Sequence, residues 1–223
     1  MLGKKMADCI AAMTGATGFV GSHLVLRLVA HFDKIILIVR PLERGTKLIS
    51  SEDRVYQLLS NLDGSGGEWR QKITVVEGDI TKPSCGLQGD SWNFLREYGP
   101  RVQFFHLAAD IRFREEDRKE IFQTNLEGTR NVLELVRDLG VRRLHYFSTA
   151  YIFGSHRGLA RETDSWHGQR FRNPYHESKF EAEQLVQELT RRYALLTPVY
   201  RPSIVVGDSE TGRTLNFEGY YDD

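Results

Sequence analysis

The sequence predicts an α/β fold, a doubly wound parallel sheet with helices on both faces. Three observations carry that expectation. Short apolar runs rich in β-branched residues alternate with helix-length periodic segments along the chain. A glycine-rich turn joins the first apolar run to the first periodic segment. Gly15, Arg40, Asp79, Ala108 and Thr149 all fall where an apolar run ends, at the carboxyl edge where such sheets bind ligands.

Residues 9–13 are the first strand, and Val20, Leu24 and Leu28, four apart, mark the first helix. Between them stands Gly15-x-x-Gly18-x-x-Gly21. Such a turn aims free N–H groups and the positive end of a helix dipole at one point, which suits a pyrophosphate. Gly15 permits the tight turn, Gly18 lets phosphates approach the backbone, and Gly21 lets the helix pack on the strand. The second strand, 35–39, is a continuous apolar run expected of a strand covered on both faces, and it ends at Arg40-Pro41.

A helix is expected over 46–59, then a Gly/Ser tip at 61–67 and a third strand at 73–80. A short helix over 91–98 stops at Gly99-Pro100, ahead of a fourth strand at 102–108. One long helix carries Ile121, Leu126, Val132, Leu133 and Val136 to a stop at Gly140. The fifth strand is 143–148, and 154–173 reads as an exposed polar excursion. Pro174 opens a helix ending near Tyr193, and 198–206 is the sixth strand.

At 223 residues, 40% hydrophobic and 27% charged, the chain has the size and composition of a soluble globular domain. Thirty basic residues balance thirty acidic ones, so no global field points to nucleic acid or to an anionic membrane. No apolar run reaches membrane-spanning length. Two cysteines, Cys9 and Cys85, make neither a disulfide framework nor a metal site, which fits a reducing, cytoplasmic setting. The basic start, Met1 to Met6, lacks the apolar core of a signal peptide and reads as a short leader.

Arginine at the end of the second strand, in place of Asp or Glu, favours the 2′-phosphate of NADP(H) over the free 2′-hydroxyl of NAD(H). Arg40 holds that position, with Arg44 and Arg54 near it in sequence, while Glu43 keeps NAD(H) open. Tyr175 and Lys179 lie four residues apart, on one face of a helix. An unperturbed phenol titrates near pH 10, and a neighbouring ammonium stabilises the phenolate and brings it toward the working range. Thr149, with Ser148 before it, ends the fifth strand and supplies the hydroxyl such a site needs.

Taken together these stretches resemble the extended short-chain dehydrogenases/reductases, and within them the thioester-reductase and fatty-acyl reductase branch. That branch includes the terminal reductase domains of carboxylic acid reductases and peptide synthetases. The likeness rests on residues 14–21, Gly78-Asp79-Ile80, 106–109, 124–129, 147–151, 174–179 and 200–209, in order over nearly the whole chain. It implies a Rossmann-type domain over 1–207, with 208–223 the incomplete start of a substrate-binding region.

The resemblance assigns Gly15, Thr17, Gly18, Phe19, Val20, Gly21, Arg40, Arg54, Asp79, Ile80, Ala108, Ala109, Lys179, Pro202 and Ser203 to the cofactor. It makes Thr149, Tyr175, Lys179 and Asn125 the catalytic group, with Thr149 on the substrate carbonyl, Tyr175 the proton donor and Asn125 holding the helix or a water. His106 is expected to pack in its strand rather than to catalyse. The implied activity is NADPH-dependent reduction of an acyl thioester, on coenzyme A or an acyl carrier protein, to an aldehyde or alcohol. A nucleotide-sugar epimerase/dehydratase, a hydroxysteroid or carbinol dehydrogenase, and a non-catalytic NADP-binding scaffold stand as alternatives. Monomer and homodimer are both compatible with the sequence.

Overall fold

The computed structural model describes residues 9–44, 47–63, 66–207 and 209. Residue 208 and residues 210–223, nearly all of the expected second region, lie outside these, as do the side chains of Glu43 and Arg44.

Six parallel strands form the main sheet, in the order β5 (Ile73–Glu77), β2 (Lys34–Val39), β1 (Ile10–Thr14), β6 (Val102–His106), β7 (Arg143–Phe147), β8 (Val199–Tyr200). Numbered along the sheet's own strands this is 3-2-1-4-5-6, so the winding reverses between β1 and β6 and opens a crevice at their carboxyl ends. Ile10 of β1 faces Lys34 on one side and Val102 on the other. All five residues of β1 are buried, as a central strand covered on both faces requires.

Alternation along the strands divides the core in two. Ile10, Ala12, Ile36, Ile38 and Phe104 pack with Leu133 and Val136 of α5 (Gly128–Asp138) and Val186 of α6 (Pro174–Arg192). Ala11, Met13, Ile35, Leu37 and Phe105 pack with Val25 and Leu28 of α1 (Phe19–Leu28) and Val55 and Leu59 of α2 (Ser51–Leu62). No helix among the described residues is long and apolar enough to cross a membrane.

Three expected elements differ. The helix expected from residue 46 begins only at Ser51, because Ser50 caps it, accepting from the Asp53 N–H at 3.0 Å, while Glu52 and Asp53 suit the dipole of its first turn. Ahead of it β3 (Leu42–Arg44) and β4 (Lys47–Ile49) form a small antiparallel ribbon. The long helix is broken: α4 (Arg118–Phe122) passes through a π turn, Gln123–Glu127, into α5. The sixth strand is two residues long, since the flanking Pro198 and Pro202 have no N–H for a ladder. The helix over 91–98 is α3 (Asp90–Tyr98).

Candidate active site

The glycine turn sits at the carboxyl end of β1. Gly15 has φ +81°, and a Cβ there would lie 2.5 Å from Ala108 N and Leu107 C. A Cβ at Gly21 would lie 2.0 Å from the Gly15 carbonyl oxygen, so α1 rests directly on the turn. Gly18 caps α1 in extended backbone with no side chain over the helix end, and its N–H donates to the Gly15 carbonyl at 3.1 Å. These are the requirements of a phosphate cradle, and a side chain at Gly15 or Gly21 would collide with the backbone that shapes it.

Two clefts meet at this turn. The first, about 220 Å³, is lined by residues 14–18, Arg40, Arg54, residues 78–81 and Ala108-Ala109. Arg54 reaches into it from α2: Nη2 donates to Thr17 Oγ1 at 3.3 Å and Nη1 donates to the Arg40 carbonyl. Burial, and then the like charge of Arg40, hold the Arg54 guanidinium below its ordinary value. Asp79 Oδ1 accepts from the Thr81 N–H at 2.9 Å and hydroxyl at 2.8 Å, which fixes the loop after β5.

The second cleft, about 1170 Å³, shares Gly15, Gly18 and Ala109 with the first. It adds Phe19, Val20 and Gly21 on one side and Thr149, Tyr175, Lys179, Pro202 and Ser203 on the other. Thr149 ends the fifth strand's exit, its Oγ1 accepting from the Tyr151 N–H at 3.2 Å. Pro174 at the first turn and Asn173, which accepts from the His176 N–H, start α6 at the point that brings Tyr175 to this cleft. Lys179, one turn on, is 3% exposed and donates to the Phe147 carbonyl at 2.8 Å and to the Tyr146 hydroxyl at 3.3 Å.

Residues 13–222 match the family described as Male sterility protein. The chain belongs to this family. It is 30% identical over 213 residues to nonribosomal peptide synthetase asaC of Aspergillus flavus, a match covering 90% of this chain and 20% of that protein. The terminal R domain from the myxalamid PKS-NRPS biosynthetic pathway superposes with a TM-score of 0.81 at 27% identity, over 97% of this chain and 54% of that one. A thiolation-reductase di-domain from an archaeal non-ribosomal peptide synthetase shares the fold, with a TM-score of 0.73 at 22% identity over 93% of this chain and 44% of that one. The chain thus spans a fifth or less of the first curated relatives it matches. The fold is that of the extended short-chain dehydrogenases/reductases, and the matched family is one of NAD(P)-dependent oxidoreductases.

The electrostatics of this family member's site depart from one expectation. Burial comes first at Tyr175 and raises the phenol, with Tyr151 adding to the rise and a hydrogen bond with Thr149 opposing it. The structure therefore does not show the lowered phenol that an adjacent ammonium was expected to produce. Its reason is the aim of Lys179, whose hydrogen bonds go to β7, and whose own value burial brings down to about 8 against the pull of Glu183. His106 does pack inside its strand as expected, 2% exposed and pushed by burial down to about 3. Thr129 spends its proton on the Asn125 carbonyl at 2.6 Å, so His106 Nε2–H must donate to Thr129 Oγ1, and Nδ1 accepts from Thr14.

Asn125 lines neither cleft. It is 1% exposed, accepts from the Asp110 N–H at 2.7 Å, and donates to the Asp110 carbonyl and to Ser178 Oγ, both at 2.9 Å. Several lining residues escaped the sequence reading: Ile111, Phe113, Tyr151, Ile204 and Val205. Ile111 and Phe113 carried a signal, two apolar residues in an otherwise polar stretch just after Ala108-Ala109, and both stand more than half exposed. Tyr151 stacks on His176 with centroids 4.7 Å apart, and Phe113 leans on Tyr175 at 5.6 Å.

Proposed function

We propose that this domain is an NADPH-dependent reductase of acyl thioesters. The observation that carries the reading is the convergence of Thr149, Tyr175 and Lys179 on a cleft continuous with the glycine turn and walled on its outer side by Ile111, Phe113, Ile204 and Val205. When bound, the reduced nicotinamide supplies a hydride. Gly15, Thr17, Gly18, Phe19, Val20 and Gly21 hold its pyrophosphate side, with Asp79, Ile80, Ala108 and Ala109 along the adenosine and Pro202 and Ser203 at the nicotinamide end. Arg40 and Arg54, two like charges on one cleft, favour the extra phosphate of NADPH.

Thr149 and Tyr175 donate hydrogen bonds to the substrate carbonyl oxygen and stabilise negative charge as it develops there. Tyr175 then gives its proton to that oxygen, leaving a hemithioacetal. The carbon–sulfur bond breaks, the thiol leaves with one proton, and the aldehyde remains; two electrons have entered the carbonyl carbon. Lys179, one turn from Tyr175 on α6 and on the same cleft, is the cation that would support the phenolate left on Tyr175. Asn125 acts from behind, through the loop at Asp110 and the helix at Ser178.

The apolar outer wall suits an acyl chain better than a nucleotide sugar, whose diphosphate needs free cations. Arg112 and Arg114, on the same cleft, are already paired, the first with Asp110 and Asp117 and the second with Glu116. The relatives named as peptide synthetases and the thiolation-reductase di-domain support a thioester delivered on a carrier. The division into a dinucleotide domain to residue 207 and a substrate region beyond it belongs to the same proposal. NADPH oxidation measured against acyl-thioester, ketone and sugar-nucleotide panels tests it, with Tyr175→Phe as control. Turnover of thioesters that falls at least about 100-fold in the variant, with NADPH binding retained, is expected. Turnover of sugar nucleotides or ketones alone overturns the reading.

A further inference from the structure

Thr149 is held by the strand beside it. The Ser148 N–H donates to the Tyr200 carbonyl at 2.7 Å, and the Ala150 N–H donates to the Pro202 carbonyl at 2.9 Å. Thr149 therefore stands between two backbone bonds whose acceptors flank Arg201. Its hydroxyl donates to the same Pro202 carbonyl at 3.5 Å while accepting from the Tyr151 N–H. Pro202 has no N–H to return, so β8 ends there and its ladder fixes nothing further along the chain.

The Arg201 side chain supplies the missing hold. Its Nε donates to both oxygens of Glu183 at 3.1 and 3.2 Å, and its Nη2 donates to Oε1 at 2.5 Å. Nη1 donates to the Glu162 carbonyl at 3.1 Å, and the guanidinium lies over the Phe153 ring at 5.3 Å. Gln187 Nε2 donates to the same carboxylate at 3.2 Å. The Glu183 side chain is fully buried and that of Arg201 is 13% exposed. Apolar residues of the same volume often stabilise a core as well as a buried ion pair does, so this pair asks for a positional reason.

Glu183 stands on α6, the helix that presents Tyr175 to the cleft. The pair thus joins the helix of the Tyr175 phenol to the chain that fixes the Thr149 hydroxyl, two groups that must meet one carbonyl oxygen. Arg201 borders neither cleft of the site, so it reaches the reaction only through its neighbours. We propose that Arg201, seated on Glu183, is a positioning residue that sets the Thr149 hydroxyl in register with Tyr175. Its consequence for turnover rests on the reductase reading, whereas the placement of Thr149 does not.

Two measurements test it. The first is the Thr149 methyl signal by NMR in protein labelled with ¹³C at threonine methyls, assigned with Thr149→Val. In Arg201→Gln this signal is expected to shift or split, while that of Thr74, on the far edge strand β5, stays in place. The second is a double-mutant cycle on thioester turnover with NADPH. Arg201→Gln should lower kcat at least about 10-fold, since misplacing a reacting group by ~1 Å can cost about 100-fold. In a Thr149→Ala background the same change should cost no more than about twofold, because the group it positions is gone. Equal losses in the two backgrounds, the mark of a merely structural role, overturn the proposal, as does an unmoved Thr149 signal. A moved signal without thioester turnover by the unsubstituted protein upholds the role of Arg201 and overturns the reductase reading instead. Should Arg201→Gln fail to fold, Arg201→Lys carries both measurements, since it keeps a cation on Glu183 and loses the fork.

Discussion

Asn125 Nδ2 donates to Ser178 Oγ at 2.9 Å, joining the π turn between α4 and α5 to the helix that carries Tyr175 and Lys179. The extra residue of a π turn is what lets Asn125 face inward between two helices instead of following the α-helical stripe. The same amide clamps the Asp110 backbone from both sides. Asn125 therefore couples the loop bearing Ile111 and Phe113 to the floor of the site.

Replacing Asn125 by Ala leaves the Asp110 N–H and the Ser178 hydroxyl without this partner. The expected loss is about 1–3 kcal/mol of stability, read by urea unfolding. Turnover should fall with little change in NADPH affinity, because Asn125 borders neither cleft. Unchanged stability and turnover would contradict the coupling.

Arg40 and Arg54 are proposed to read the 2′-phosphate. Arg54→Ala should weaken NADPH binding roughly 10- to 100-fold, the worth of one or two charge-assisted hydrogen bonds. NADH binding should change far less, and fluorescence titration with both cofactors decides. Equal loss for the two would assign Arg54 to the glycine turn through Thr17, not to the phosphate.

His106 gives the protein an acid-sensitive core. Its folded value, near 3, is below the unfolded one near 6.5, so between those pH values the unfolded chain binds the extra proton. Stability from this group is complete above about pH 6.5 and is lost as pH falls, by up to about 1.4 kcal/mol per unit. His106→Gln, which keeps a donor for Thr129 and an acceptor for Thr14, should flatten that slope in urea unfolding between pH 7 and 4. An identical slope in the variant would place the acid sensitivity elsewhere.

Phe113 stands half exposed against the Tyr175 ring on the wall of the larger cleft. Phe113→Ala should lower kcat/KM for long apolar acyl thioesters by about 1–2 kcal/mol, or roughly 5- to 30-fold, while short acyl groups lose less. A uniform loss across chain lengths would mean that Phe113 supports Tyr175 and does not touch the acyl chain.

Much of this was legible in the sequence for local reasons. The glycine turn, the continuous apolar strands and the Tyr175–Lys179 spacing are set by nearest-neighbour geometry, and each stands where it was expected. The pairing of β3 with β4 departs from the helix expected from residue 46, because Lys47-Leu48-Ile49 is compatible with a helix until its pairing with Leu42 is known. The π turn was invisible because one inserted residue barely disturbs an apolar stripe. The cleft wall joins Ile111 and Phe113 to Ile204 and Val205, about ninety positions apart, and no spacing rule spans that distance.

By itself the sequence determined the class of fold, the phosphate turn and the residue types of the site, because backbone sterics and short-range periodicity suffice for those. Only the tertiary structure decided how the groups act on one another. It turned Lys179 toward β7, raised the Tyr175 phenol by burial, withdrew Asn125 from the cleft and set Glu183 against Arg201. Burial, aim and pairing are properties of side chains brought together from distant segments, and they exist only once the sheet has placed those segments side by side.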